Sequence, residues 1–131
     1  MDYGQVMAER MRIEGIMRQI RVIDEKLSAC RPVKAALSAQ QTSLDSAVEN
    51  WVNVRQILLS DVRYTEIVTT DVFEGEMANR LKEYISEVLT DINDGISASE
   101  LLLDELQAQI GKLEEYEAEL SAERASLAAQ L

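Results

Sequence analysis

The sequence predicts an all-α fold: a long antiparallel helical hairpin, coiled-coil-like and kinked near Pro32, that completes a four-helix-type bundle with a partner. Three observations lead there. Apolar residues recur at steps of three and four over most of the 131 residues. The chain has five Gly and one Pro, too few for a turn about every 8–12 residues, as an all-β chain requires. Apolar residues make up 47%, enough to bury a periodic face against the entropy of ordering, and aromatics only 5%, so the core is aliphatic.

The elements follow in order within a single module, residues 1–131. The first arm, residues 4–59, opens on a seam of Val6, Ile13, Ile16, Ile20, Ile23, Leu27 and Cys30, with charged residues between. Cys30 reads as a small apolar seam residue. Met1, Met7, Met11 and Met17 decorate the start as frayed end or gap-filling packing. Pro32 lacks an N–H and clashes with the carbonyl four residues back, so the helix kinks there or breaks at 30–33. A kink is favoured because no Gly or Asn accompanies the proline to build a turn. The repeat resumes with Leu37, Gln40, Leu44, Ala47, Trp51, Val54 and Leu58.

Residues 60–71 are β-branched and polar without heptad order, and are expected to form the connector of the hairpin. The second arm, residues 72–131, starts behind a capping box, Asp71-x-x-Glu74. Its seam is Met77, Leu81, Ile85, Val88, Ile92 and Ile96, then Leu102, Leu106, Ile110, Leu113, Leu120, Leu127 and Leu131. Successive steps of four around 95–106 predict a stutter. At about 1.5 Å per residue, each arm reaches roughly 80 Å. The residues expected to hold the arms together are Ile13, Ile16, Ile20, Ile23, Leu27, Leu106, Ile110 and Leu113.

Composition excludes several chemistries. With no His there is no Ser-His or Cys-His relay, no zincin motif and no Glu-x-x-His di-iron site. One Cys forms neither an internal disulfide nor a multi-thiolate metal site. No catalytic residue, cofactor or metal is expected, and the acidic run Glu114–Glu123 reads as a solvated face. The longest apolar runs, Ile57–Leu59 and Leu101–Leu103, fall far short of a membrane span. The N-terminus lacks the apolar stretch of a signal peptide, so the expected location is cytoplasmic, with export by a route needing no cleaved signal left open.

The net charge is −11, unevenly placed. Residues 1–60 carry eight basic and seven acidic side chains, residues 61–76 one and five, and residues 77–131 four and twelve. That imbalance repels nucleic acid and favours folding the acidic arm against the near-neutral one. Further apolar residues flank the seams: Val22, Val33, Val48, Val52, Ile57 and Leu59 in the first arm, Leu89, Leu101 and Leu103 in the second. A two-helix pair cannot cover all of them, which predicts self-association or a helical protein partner.

Two large aromatics, Trp51 and Phe73, are expected at the tip, as an apolar plug or as a partner-binding element with Asn53 and Gly75. The stretch Val72-Phe73-Glu74-Gly75-Glu76-Met77-Ala78, the acidic Ile-rich helix through Ile92 and Ile96, and the mid-chain Trp51 resemble the small helical proteins of bacterial type VII secretion, nearest the YwqH-like group encoded beside LXG-domain toxins. The resemblance implies a non-enzymatic chaperone or adaptor that binds the N-terminal helical domain of an LXG-type toxin. Two features depart from the wider WXG-like pattern: Asn53 stands where Trp-x-Gly would place glycine, and four residues after Tyr84 and Tyr116 come Val88 and Leu120 rather than an acid. The alternative is a homo-oligomeric coiled-coil structural or assembly protein.

Overall fold

In the computed structural model the chain is two α-helices packed against each other as a hairpin, with no strand among the described residues. The structure describes residues 2–71 and 76–131, and the side chains of residues 2–60 and 79–131. Helix α1 is Tyr3–Asp71 and helix α2 is Glu76–Ala129.

Helix α1 begins on a reciprocal cap that the sequence reading passed over. The Gln5 N–H donates to Asp2 Oδ1 at 2.8 Å, and the Asp2 N–H donates back to Gln5 Oε1 at 3.4 Å. Two N–H groups left without helical partners are thereby satisfied. Pro32 lies inside α1, which is one helix rather than two with a break at 30–33. Pro32 and Ser28, whose carbonyl loses its bond, are both exposed, so water can meet the freed oxygen.

The connector is not at 60–71: α1 continues through these residues to Asp71. Each β-branched residue there lowers helix propensity by only about a few tenths of a kcal/mol. No Gly or Pro occurs between 33 and 74, and adding a residue to an existing helix is far easier than nucleating one. Asp71, expected to cap the second arm, is instead the last residue of α1, and α2 starts at Glu76. Glu74 lies outside the described residues.

The chain packs as two compact units. Unit 1 joins Met1–Ala39 to Gln107–Leu131. Its core is Ile16, Ile23 and Cys30 from α1 with Ile110 and Leu120 from α2. The α1 residues are seven apart, so they stack along one line of the helix. Ile13, Ile20, Leu27, Leu37 and Leu113 are half-buried beside them. Val6 is exposed and Met7 is half-buried instead.

Cross-helix contacts in unit 1 run in opposite senses, as antiparallel pairing requires. Arg12 Nη1 donates to the Gln130 carbonyl at 2.8 Å, Arg124 meets Asp24 at 2.6 Å, and Lys34 lies 3.7 Å from both Glu114 and Glu117. The last turn of α2 contains no basic residue. Arg12 therefore supplies from α1 the positive charge that the carbonyl end of a helix favours. Glu9 holds Arg12 in place with contacts of 2.6 and 3.2 Å.

Unit 2 is Gln40–Leu106. Ile92 and Ile96 are buried, with Leu44, Val48, Leu58, Leu89, Leu103 and Leu106 half-buried around them. Arg55 Nη1 donates to Asn93 Oδ1 across the pair at 3.0 Å. The expected stutter at 95–106 is absent. The inward positions run Ile92, Ile96, Ser99, Leu103, Leu106, in steps of four and three. Leu103, not Leu102, takes the seam, and Ser99 fills a place that an apolar-only reading skips. In α1, likewise, Gln41, Val48, Val52 and Arg55 face inward while Gln40, Trp51 and Val54 are exposed.

Candidate interaction surface

Labelling the observed seam as a heptad puts Gln41, Val48 and Arg55 of α1 at position a, and Leu44, Trp51 and Leu58 at d, with Trp51 left 44% exposed on its way out of the seam. In α2 the a positions are Leu89, Ile96 and Leu103, and the d positions Ile92, Ser99 and Leu106. When two such helices pair antiparallel, like flank meets like, so the g residues of both line one side and the e residues the other. The two sides of unit 2 then differ in chemistry. On the e side stand Asp45, Val52 and Leu59 from α1 with Ser86, Asn93 and Glu100 from α2, and the Arg55–Asn93 hydrogen bond crosses there. On the g side stand Gln40, Ala47 and Val54 from α1 with Val88, Gly95 and Leu102 from α2.

A groove of about 340 Å³ lies on that g side, lined by Gln40, Ser43, Leu44, Ala47, Leu102 and Leu106. Trp51, one turn beyond Ala47, is 44% exposed, and Leu102 is 52% exposed. Val54 is open as well, and an added Cβ at Gly95 would meet no atom within 4 Å. Large apolar side chains left open along one flank are what a surface awaiting a partner presents. The corresponding groove of unit 1 is lined by Arg18, Gln19, Val22, Ile23, Lys26 and Glu123 and so mixes charged with apolar side chains, and a larger one of about 570 Å³ lies against Val6, Glu9, Arg10, Ile13 and Glu14.

Charge separates the units further. Unit 2 carries 14 acidic and four basic side chains, net −10, while unit 1 carries ten and nine, net −1. Nearly the whole imbalance of the chain therefore sits on the unit with the apolar flank. Resolved shifts in ionisation occur at the surface pairs of unit 1. Hydrogen bonds from Arg12 and Arg124 hold the Glu9 and Asp24 carboxyls below the ordinary carboxylate range and raise both guanidiniums in return. These are pairing contacts between solvent-exposed side chains.

Among the described residues no group of three or more His, Cys, Asp or Glu is placed to hold a metal, and no helix is long and apolar enough to cross a membrane. Of the residues expected at a tip, Trp51 and Asn53 sit within α1, some five turns before its end, and Phe73 and Gly75 lie outside the described residues. Trp51 therefore does not flank the connector. Of the eight expected seam residues, Ile16, Ile23 and Ile110 are buried and Ile13, Ile20, Leu27, Leu106 and Leu113 half-buried. What the sequence reading missed was Leu102 as an open groove residue; the signal was present, because it falls seven residues after Gly95 and fourteen after Val88.

No family model, curated protein or solved structure matches this chain.

Proposed function

We propose that this protein is a non-enzymatic interaction module, a helical hairpin that completes a bundle with another helical protein. The observation that carries the reading is the open apolar flank of unit 2, where Trp51, Val54 and Leu102 are exposed on a helix pair whose inward seam is already filled. Covering it releases water from apolar surface at about 25 cal/mol per Å², which drives association without a catalytic group. The finer reading follows the resemblance of residues 51–96: the partner is the N-terminal helical domain of an LXG-type toxin, and the protein acts as its chaperone or adaptor in type VII secretion. Self-association ranks second, because joining two copies through unit 2 sets a net −10 against a net −10.

Co-expression of the full chain with the N-terminal helical domain of an LXG-type toxin tests this. A stoichiometric complex surviving gel filtration is the expected result. A toxin domain that is soluble alone and exported normally in cells lacking this protein overturns the role.

A further inference from the structure

The open flank of unit 2 has chemistry specific enough to describe its occupant. On the α1 side, Ser43 and Asn50 precede the g residues Ala47 and Val54 by four and so share their face; both are exposed and uncharged. On the α2 side, Asp91 lies four before Gly95 and Glu105 three after Leu102, both exposed and acidic. The flank that continues from the groove thus has an apolar floor, a neutral edge on α1 and an α2 edge where Asp91 and Glu105 stand on either side of Ala98, on the unit that carries 14 of the 24 acidic residues. An acidic helix would be repelled from it, a purely apolar one would leave the carboxylates unanswered, and a second copy would meet carboxylate with carboxylate.

We propose that the groove between α1 and α2 in unit 2 docks one basic amphipathic helix, its apolar stripe on Ala47, Trp51, Val54 and Leu102 and its Lys and Arg residues toward Asp91 and Glu105. The proposal rests on the interaction-module reading above and specifies the segment of the partner that makes the contact. Trp51, one turn beyond the groove, anchors it: a large apolar side chain contributes most when the contact around it is sealed from water. Charge sets the partner and its rate of arrival more than the final affinity.

The test uses the full chain and two synthetic peptides of about 18 residues, long enough for five helical turns. Both have the same Leu and Ala stripe and no Trp; one is flanked by Lys and Arg, the other by Glu. Trp51 is the only tryptophan, so its emission reports docking directly. The basic peptide is expected to shift that emission to the blue saturably and to bind at least about tenfold more tightly than the acidic one, a preference that shrinks several-fold between about 50 and 500 mM salt. Leu102→Glu and Val54→Glu should each weaken the basic peptide by about tenfold or more. Leu101→Glu, turned about 100° away from Leu102 on the outward side of the same helix and 69% exposed, should leave it within about twofold. The double variant Asp91→Lys/Glu105→Lys should reverse the preference, a gain that a misfolded chain cannot produce.

Equal binding of the two peptides, an unmoved Trp51 emission, or equal losses in Leu101→Glu and Leu102→Glu would each overturn the proposal. So would a dimer of the free chain that Leu102→Glu dissolves, which would assign the groove to a second copy. A toxin-domain complex that persists unchanged in Leu102→Glu overturns this inference alone. Peptide docking without any toxin-domain complex overturns only the partner named above.

Discussion

The packing seam of unit 1 contains one ionic rung, and replacing its acid tests how the helices are held in register. Lys34 and Glu117 occupy inward positions on facing helices, and Lys34 Nζ stands 3.7 Å from Glu117 Oε1 and the same distance from Glu114 Oε1. That distance is beyond hydrogen bonding, and Glu117 Oε1 is buried without any hydrogen-bond partner. The Glu117 side chain is only 26% exposed. In Glu117→Leu, a fully buried Leu would gain about 1.5–3 kcal/mol, or about 1–2 kcal/mol at this partly open site. Removing the unsatisfied oxygen returns about 1 kcal/mol, and losing a half-exposed ion pair costs at most about 1 kcal/mol. Lys34 keeps Glu114. The net expectation is stabilisation by about 1–2 kcal/mol, read as a rise in Tm of about 3–8 °C by circular dichroism at fixed protein concentration. Lys34→Leu adds comparable apolar surface but strands the buried Glu117 oxygen beside Glu114, so it should be neutral or destabilising by about 1 kcal/mol. A Glu117→Leu chain that melts lower, or a Lys34→Leu chain that gains as much, would refute the reasoning. A second expected consequence is looser specificity, seen as added oligomers in light scattering, because polar seam residues select register at the expense of stability.

Four further outcomes follow from the same geometry. Ile23→Ala, at a site only 4% exposed, should cost about 2–4 kcal/mol in a urea melt, through lost transfer energy and the cavity left behind. Gly111→Ala should stabilise by about 0.5–1 kcal/mol, since the added methyl meets no atom within 4 Å and glycine is a poor helix former; Gly15→Ala should behave alike. Pro32→Ala, at an exposed site inside α1, should raise the melting temperature, its gain bounded by the helix-interior penalty of proline, about 3 kcal/mol. The acid limb has a definite sign: Asp24 and Glu9 are depressed in the folded chain, so their contribution is complete above the ordinary carboxylate pKa and lost as pH falls through the lowered folded values. Thermal melts of Arg124→Met should show a smaller loss on that limb than the unaltered chain, and a loss of equal size would count against the pairing.

Several features could be read without coordinates because they depend on local repetition. Ile13, Ile16, Ile20, Ile23, Leu27 and Cys30 alternate by three and four, and the other large apolar residues among them, Met17 and Val22, form no second stripe, so only one face can be inward. The reading failed where apolar residues crowd. Leu101, Leu102 and Leu103 are equivalent to a periodicity argument until a partner helix chooses among them, and choosing Leu102 created a stutter that the helix lacks. Spacing alone does not settle Trp51 either: it falls seven after Leu44 and seven before Leu58, yet it is 44% exposed and lies within α1 rather than at a tip. At 60–71 the β-branched residues suggest a break in the helix, but no Gly or Pro stands there to make one, and α1 runs on to Asp71.

By itself, then, the order of residues determined that the chain is helical, where its strongest seam lies and that its acids collect in the later part, since all three are sums of short-range preferences along one helix. Only the packed pair decided which leucine turns inward, that Arg12 caps the end of the opposite helix, and that the g side of unit 2 is the open one. Those outcomes depend on the register between residues some 40 to 120 positions apart, from Arg55 with Asn93 to Arg12 with Gln130. No repeat within a single helix specifies that register; the facing surfaces select it together.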